Sequence, residues 1–240
     1  MLKNKGFINY AHRGASEYLP ENTFSAFYTG LYMGANGIET DVRRTKDGVL
    51  VLFHDKNLER VCGEEGEIED YTFEELQKFN VAKNGFIDKI VAFEDFLAKF
   101  CFRDITFAIE LKGAGVEIET AELLRKYNMR EKTVVTSFKL EYIEKFKAYA
   151  PEFSIGHLTK DISDAELSSL RRIGADEICP LAELLTVEEV DRLHAQGFCV
   201  RAWGVGNEAI MKNTVLAGAD GMTVNFPDKL TEFLENLKKC

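Results

Sequence analysis

The same type of three-residue corner occurs three times between a helical segment and an apolar run, at Gly34-Ala35-Asn36, Gly174-Ala175-Asp176 and Gly218-Ala219-Asp220. Because glycine readily adopts the left-handed conformation that ends a helix, each corner predicts a helix that stops and a strand that follows. Nine apolar runs alternate with helical segments along the chain. They lie at roughly residues 7–12, 36–43, 49–54, 105–111, 133–137, 153–158, 175–179, 199–204 and 219–224. This alternation is typical of βαβ units and a parallel sheet.

Eight of the nine runs lead into a helical segment, which is the rhythm of a (β/α)8 barrel. The remaining run, 49–54, is joined to 36–43 by Thr45-Lys46-Asp47-Gly48, and Asp-Gly between apolar runs indicates a hairpin. We therefore predict an α/β fold: one (β/α)8 TIM barrel with an extra antiparallel strand and a short, irregular excursion over residues 56–90 at its mouth. An open doubly wound sheet is the alternative. We expect a single domain spanning 1–240, since barrels of this length are often single domains.

Polar residues mark the predicted helix starts. Asn22 is the expected N-cap of the helix that begins just after it. Three further starts carry the capping-box pattern, in which a hydroxyl residue precedes a glutamate by three positions. They are Thr72 with Glu75, Ser163 with Glu166, and Thr186 with Glu189.

Composition narrows the class of protein. A net charge of −10 argues against nucleic acid as the main partner, because phosphate backbones select basic surfaces. The segment Met1–Gly6 begins no long apolar stretch, and no run of about twenty apolar residues exists, so we expect a cytoplasmic protein without stable membrane association. The scattered cysteines are expected to be free, buried thiols in a reducing compartment. They are Cys62, Cys101, Cys179, Cys199 and Cys240.

Carboxylates mark two of the predicted strands. Glu39 and Asp41 are two positions apart, so they share one face of a strand at about 7 Å from each other. Two carboxylates so placed repel each other unless a cation lies between them, and hard oxygen ligands suit Mg²⁺ or Ca²⁺. Glu110 could add a third carboxylate at the same barrel mouth, with Lys112 on its own face to meet an anion. The alternative is a solvated strand end where the acids pair with Arg43 or Lys112.

Two histidines follow other strands. His12 ends the first strand and is followed by Arg13, whose planar guanidinium suits phosphate. His54 follows the hairpin strand, roughly opposite position 39. Two imidazoles on either side of one phosphate could serve as general base and general acid. Taken alone, His12 could equally be a hydrogen-bonded strand-end residue.

Other candidates are weaker. Trp203 ends a strand where catalytic-face residues of a barrel lie, so it could pack on the carbon skeleton of a substrate or belong to the core. His157 and His194 are expected to be structural or surface residues. The sequence has no Walker A loop, GxGxxG, GxSxG or HExxH motif, which lowers the odds of an NTPase, a dinucleotide enzyme, a serine esterase or a zinc hydrolase.

In their joint order and spacing, these motifs resemble the glycerophosphodiester phosphodiesterase family. The matching segments are Ala11-His12-Arg13-Gly14, Pro20-Glu21-Asn22-Thr23, Gly37 to Arg43, Thr45-Lys46-Asp47-Gly48, His54-Asp55, Ile109-Glu110-Leu111-Lys112, Trp203 and Gly218-Ala219-Asp220-Gly221. The resemblance covers nearly the whole chain.

The resemblance implies a (β/α)8 barrel that hydrolyses small glycerophosphodiesters to glycerol 3-phosphate and an alcohol. By this resemblance, the ligands of one divalent cation, Mg²⁺ or Ca²⁺, are Glu39, Asp41 and Glu110; the general acid/base pair is His12 and His54; and Arg13 and Lys112 contact phosphate. It also implies internal attack by the glycerol 2-hydroxyl, which gives a cyclic phosphate that water then opens, and internal attack benefits from a high effective molarity.

The chain also departs from the family pattern. Gly204 follows Trp203 where threonine is more usual, and Val224-Asn225 stands where Thr-Asp is common. We expect these departures to leave the proposed catalytic set untouched. Two alternatives remain open: a related barrel phosphodiesterase that acts on lysophospholipids or phosphoinositide-type lipids, and a non-catalytic phosphate-binding barrel.

Overall fold

The computed structural model describes residues 6–239. Within them the strands are β1 (Ile8–His12), β2 (Gly37–Arg44), β3 (Leu50–Leu52), β4 (Val81–Lys83), β5 (Phe86–Asp88), β6 (Thr106–Leu111), β7 (Thr133–Ser137), β8 (Ser154–Thr159), β9 (Glu177–Pro180), β10 (Cys199–Ala202) and β11 (Gly221–Val224). The helices are α1 (Phe24–Tyr32), α2 (Glu59–Cys62), α3 (Phe73–Leu76), α4 (Phe93–Phe100), α5 (Glu117–Lys126), α6 (Leu140–Tyr149), α7 (Asp164–Arg172), α8 (Val187–Ala195), α9 (Glu208–Leu216) and α10 (Pro227–Leu237).

Eight parallel strands form a closed barrel, in the order β1-β2-β6-β7-β8-β9-β10-β11 and back to β1. Closure is visible at β1, where Tyr10 pairs with Gly37 of β2 and Ile8 pairs with Gly221 of β11. An open sheet is therefore wrong and the predicted (β/α)8 barrel is confirmed. The predicted extra strand is also confirmed: β3 lies antiparallel to the end of β2, with Val42 opposite Leu52.

The corner glycines have the expected conformation. Gly34, Gly174 and Gly218 have φ values of 92°, 70° and 89° after α1, α7 and α9. A side chain at Gly34 would also meet Thr231, since an added Cβ would lie 2.6 Å from its methyl carbon. In all three corners, glycine in the left-handed conformation ends the helix and lets the chain turn back toward the next barrel strand.

The predicted N-cap of α1 is wrong by one residue. Thr23 caps the helix, because its hydroxyl accepts a hydrogen bond from the Ala26 N–H. Asn22 instead adopts a φ of 57°, and its amide turns inward to donate to Asp41 and to accept from Thr40, at 2.9 and 2.7 Å. The Asn22 amide therefore hydrogen-bonds the buried Asp41 carboxylate, which needs a donor, instead of capping the helix.

The three predicted capping boxes all begin helices, α3, α7 and α8. At α3 the box is complete, with Thr72 and Glu75 each bonded to the other's backbone N–H. At the other two starts the structure shows the hydroxyl half of the motif, with Ser163 and Thr186 accepting from the N–H three residues on.

The excursion is more ordered than the sequence indicated. It contains α2, α3, the antiparallel pair β4–β5 and a 3₁₀ turn at Ile68–Asp70. Its apolar side chains form a small core with the end of β3, in which Leu58, Ile68 and Leu76 are buried against Val51. At the mouth, Asn84 donates to the backbone of the loop after β1. The irregular interpretation missed this structure because its elements are only three or four residues long.

The barrel interior holds a buried ion pair that the sequence analysis did not predict. Arg201 of β10 donates to Glu177 of β9, and its guanidinium lies 5.2 Å from the centre of the Tyr10 ring. Room for these large side chains comes from small neighbours; an added Cβ at Gly37 would lie 2.6 Å from the Tyr10 ring. A buried charge is tolerable here because its partner is buried with it.

Two predictions about compartment can be compared with the structure. The cysteines between residues 6 and 239 are free thiols, but Cys179 alone is buried, whereas Cys62, Cys101 and Cys199 are half-buried. Cys240 lies outside the described residues, as does the segment 1–5. No helix in the described part of the chain has the length and apolar character needed to cross a bilayer.

Candidate active site

Strand register brings the predicted side chains to one end of the barrel. His12 pairs with Glu39 across β1 and β2, and Asp41 pairs with Glu110 across β2 and β6. His12 and Glu110 stand at or near the carboxyl ends of β1 and β6, and the register places Glu39 and Asp41, the third and fifth of the eight residues of β2, level with them. Because parallel strands end on the same face of a barrel, the side chains converge on one mouth.

Glu39, Asp41 and Glu110, here called the acidic cluster, are all buried, and their carboxylate oxygens lie within 4.8 Å of one another. Two oxygens that share an ion at about 2.4 Å can be at most about 4.8 Å apart, so the spacing suits one hard cation. Asp41 Oδ1 is buried and accepts no hydrogen bond from any residue between 6 and 239. The open, solvated strand end considered above is therefore wrong, although Lys112 does lie beside the acids.

Two basic side chains flank the acidic cluster. Lys112 Nζ lies 2.7 Å from Glu110 and 3.5 Å from Asp41. Arg13 Nε lies 3.0 Å from Asp41, while its Nη1 donates to Glu21 at 3.0 Å. Arg13 also has a φ of 56°, which is rare for a residue with a side chain, and such strain is concentrated at functional sites. Three acids and two bases leave the group with one excess negative charge when all are ionised.

The crowding perturbs the acids in opposite directions. Burial, reinforced by Asp41 and Glu110, raises the pKa of Glu39 well above its usual range. Burial also raises the pKa of Glu110 to about 7, with Lys112 opposing the shift. Burial alone would raise the pKa of Asp41, but Arg13 and Lys112 outweigh it and lower that pKa. A cation at the centre would favour the ionised form of all three.

His12 is oriented by a residue that the sequence analysis set aside. Its Nδ1 lies 2.6 Å from Asn225 Oδ1, which also accepts a hydrogen bond from Ser16 Oγ at 3.0 Å. With Oδ1 as the acceptor, the His12 proton is on Nδ1, and Nε2 lies 3.8 Å from Glu39. Burial and the neighbouring Arg13 lower the pKa of His12 to about 3. Asn225, one of the departures from the family pattern, is therefore in direct contact with His12.

His54 lies just past β3 and lines the same cavity as His12. The ladder between β2 and β3 ends at Leu52, and its extension puts position 54 opposite 40, one residue from the expected 39. His54 Nδ1 lies 2.6 Å from Asp55 Oδ1, and burial lowers the pKa of the imidazole. Its carbonyl accepts two hydrogen bonds from Arg43, which therefore does not serve as the predicted alternative partner of the acids.

A cavity of about 350 Å³ opens between these groups. Its polar side is formed by both imidazoles, Glu39, Glu110 and the two bases, and its apolar side by Phe138, Leu158 and Trp203. Trp203 packs edge-on against Phe138 with the ring centres 4.7 Å apart, and its indole N–H donates to the Thr159 carbonyl at 3.3 Å. The predicted strand 199–204 ends at Ala202, so Trp203 lies just beyond it.

Of the predicted site residues, Asp41 alone does not line the cavity; it lies behind Arg13 and Lys112. The cavity wall also includes Arg201 and Asn225, which sequence reasoning missed. A signal for Arg201 existed, because it is two positions before Trp203 within the predicted strand 199–204, and positions two apart in a strand share a face. His157 and His194 lie elsewhere and bind Glu166 and Asp220.

A closed parallel barrel with such a concentration of acids, bases and imidazoles at the carboxyl ends of its strands defines a (β/α)8-barrel enzyme. Residues 12–229 match the model of the "Glycerophosphoryl diester phosphodiesterase family". The chain therefore belongs to the glycerophosphoryl diester phosphodiesterase family.

Individual relatives agree over nearly full length. A glycerophosphodiester phosphodiesterase of Bacillus altitudinis is 32% identical over 242 residues, with 95% of this chain and 98% of that protein covered. One from Caldanaerobacter subterraneus subsp. tengcongensis is 29% identical, with 92% and 94% covered. The crystal structure of an Agrobacterium tumefaciens glycerophosphodiester phosphodiesterase superposes with a TM-score of 0.84 at 25% identity, covering 94% of this chain and 99% of that one.

Proposed function

We propose that this protein is a metal-dependent phosphodiesterase that hydrolyses small glycerophosphodiesters to sn-glycerol 3-phosphate and an alcohol. The observation that carries the proposal is the cavity lined by two members of the acidic cluster, two bases and two imidazoles, with Asp41, the third member, behind the bases. The names of the full-length relatives support the substrate class.

The acidic cluster would hold one divalent cation, Mg²⁺ or Ca²⁺. Its donors are carboxylate oxygens, which suit these hard ions better than zinc. Their mutual distances fit a shared ion, and so does Asp41 Oδ1, which accepts no hydrogen bond from the described residues. When bound, such an ion neutralises charge on a phosphoryl oxygen and eases deprotonation of a hydroxyl group.

Arg13 and Lys112 would bind the phosphate. Both line the cavity, and both are already held by carboxylates, so they are ordered before the substrate arrives. Fixed positive groups stabilise charge that develops on phosphoryl oxygens without reorganising during the reaction. The side of the cavity formed by Trp203 and Phe138 would cover the carbon skeleton of the glycerol.

His12 and His54 would move the protons. In this mechanism the 2-hydroxyl oxygen of the glycerol attacks phosphorus, one neutral imidazole accepts the hydroxyl proton, and the other, protonated on both ring nitrogens, donates a proton to the departing alkoxide. Water then opens the cyclic phosphate to sn-glycerol 3-phosphate. Both imidazoles are held through Nδ1, which leaves Nε2 for the reacting atoms.

The test is the release of glycerol 3-phosphate from glycerophosphocholine and glycerophosphoethanolamine with Mg²⁺ or Ca²⁺. Replacing His12 or Glu39 with alanine should abolish turnover, and His194→Ala, which lies away from the cavity, should not change it. Melting temperatures confirm that each variant folds. A loss below tenfold for His12→Ala or Glu39→Ala would point to another set of catalytic groups.

One observation favours a second candidate substrate class. Phe86 and Ile87, on the hairpin at the mouth, are 56% and 68% exposed. An apolar lip of this kind could contact lysophospholipids or phosphoinositide-type lipids. Preferential turnover of a lysolipid over glycerophosphocholine, lost in Phe86→Ser, would support that class.

We also propose that the chain is one domain and that it acts in the cytoplasm. The free thiols of the described residues fit a reducing compartment. Cell fractionation with an antibody against the protein tests the location, and limited proteolysis that yields one resistant core tests the domain.

A further inference from the structure

Arg60 of α2 makes the densest set of charged contacts in the excursion, although it does not line the cavity. Its Nη1 and Nη2 donate to the two oxygens of Glu21 at 2.8 and 2.7 Å, and its Nε donates to Asp55 at 2.5 Å. Glu21 comes from the loop after β1, and Asp55 follows β3. One guanidinium thus joins two carboxylates from separate segments of the chain.

The carboxylate of Asp55 connects Arg60 to the proposed acid/base residue His54. Asp55 binds Arg60 through Oδ2 and His54 Nδ1 through Oδ1, at 2.6 Å. An acceptor at Nδ1 fixes the proton there, and it fixes the plane of the ring. Arg60 therefore holds the group that determines the tautomer of His54.

The carboxylate of Glu21 connects Arg60 to the proposed phosphate-binding residue Arg13. Glu21 Oε1 accepts from Arg60 and also from Arg13 Nη1, at 3.0 Å. The Arg13 guanidinium then reaches Asp41 of the acidic cluster, at 3.0 Å. Continuous hydrogen-bonded contacts therefore run from Arg60 to two residues of the cavity wall, His54 through Asp55 and Arg13 through Glu21.

The fold gives Arg60 a defined place. Leu58, just before α2, is fully buried in the small core of the excursion, and its N–H donates to the Gly66 carbonyl. The Arg60 side chain itself is 48% exposed, so solvent reaches it. Burial raises the pKa of both partners, but Arg60 together with Arg13 at Glu21, and Arg60 together with His54 at Asp55, outweigh it, so that the pKa of Glu21 is lowered and that of Asp55 falls to about 2. Both carboxylates are therefore ionised at neutral pH.

We infer that Arg60 is a positioning residue of the proposed hydrolysis: it holds Asp55 behind His54 and Glu21 behind Arg13, and so orients both cavity groups at once. This inference rests on the proposed function. The partners that orient metal ligands are commonly worth about 10- to 100-fold in activity, and we expect a loss of that size when Arg60 is removed.

The test compares Arg60→Ala with Arg125→Ala. Arg125 is a matched control, because it also joins two carboxylates, Glu122 and Glu152, but on α5 away from the cavity. We expect kcat/KM for glycerophosphocholine to fall about 10- to 100-fold in Arg60→Ala and to stay within threefold of wild type in Arg125→Ala. Millimolar guanidinium should restore part of the lost activity, because the vacated position is open to solvent, whereas equal sodium chloride should not.

A second measurement does not depend on turnover. The chain has four histidines, so long-range ¹H–¹⁵N spectra at one pH can resolve each imidazole, with His54→Gln to assign the signal. We expect the His54 nitrogens to change toward a mixture of tautomers in Arg60→Ala and to be unchanged in Arg125→Ala.

The outcomes separate the two claims. An active wild type with Arg60→Ala within threefold of it, or a loss that guanidinium does not relieve, overturns the inference about Arg60. An inactive wild type refutes the proposed function, and the His54 spectra then decide the role of Arg60: unchanged nitrogens in Arg60→Ala overturn it, and shifted nitrogens support it.

Discussion

Replacing Glu110 with glutamine tests the electrostatics of the acidic cluster in the metal-free protein. Glutamine resembles the protonated carboxyl in shape and charge, so it removes one negative charge and keeps the volume. Burial, with Lys112 opposing and Asp41 reinforcing it, raises the pKa of Glu110 from 4.5 to about 7. Because the folded protein holds this proton more tightly than the unfolded chain, the linked stability is fully present below pH 4.5 and is lost as the pH rises through about 7.

The magnitude follows from that rise in pKa. At about 1.4 kcal/mol for each unit of pKa, a rise from 4.5 to about 7 corresponds to about 3.5 kcal/mol, nearly all of which is lost by pH 8. In EDTA at pH 8 we therefore expect Glu110→Gln to be more stable than wild type by about 3 kcal/mol, or about 6–12 °C in melting temperature for a domain of this size. At pH 5 most of the difference should disappear, since wild type then carries the proton.

The assay is urea unfolding of both proteins in EDTA at pH 5 and pH 8, with Glu131→Gln as a control at a side chain that is 77% exposed. With Mg²⁺ or Ca²⁺ at 100 times its Kd, wild type should gain about 2.7 kcal/mol that the variant largely lacks. The reasoning is refuted if Glu110→Gln is no more stable than wild type at pH 8 in EDTA, or if the difference persists at pH 5.

Three further predictions concern single side chains. Asn225→Asp should raise the pKa of His12 above its value of about 3, because a carboxylate stabilises the imidazolium; the acidic limb of the pH profile of kcat should move to higher pH, and an unmoved limb would contradict this. Trp203→Ala should raise KM about tenfold with a smaller change in kcat; a change in kcat alone would mean that the indole does not bind substrate. Thr23→Ala should lower the free energy of unfolding by about 1 kcal/mol, since it removes the cap on the Ala26 N–H; an unchanged free energy of unfolding would contradict this.

The barrel and the acidic cluster were predictable because both follow from short-range rules. A helix that ends at glycine and a strand that follows repeat along the chain, and positions 39 and 41 share a face in any strand. Glu110 joined them because parallel strands end on the same side of a barrel. These predictions needed no knowledge of how far apart in sequence the partners lie.

Contacts between segments that are far apart in the sequence were not predictable. Asn225 meets His12 because β11 pairs with β1, and that closure depends on the register of all eight strands. Asn22 does not cap α1, because its amide donates a hydrogen bond to the buried Asp41 carboxylate. Local helix-capping preferences carry no information about that contact. The same is true of Arg60, whose partners come from two other segments.

We propose that the acidic cluster holds one divalent cation and that the diester is not hydrolysed without it. The most direct test is to titrate Mg²⁺ or Ca²⁺ into metal-stripped protein while the release of glycerol 3-phosphate is measured. We predict no turnover before the addition, recovery along a single-site curve, and no recovery in Glu39→Ala. Full activity of the stripped wild type in excess EDTA would contradict the account.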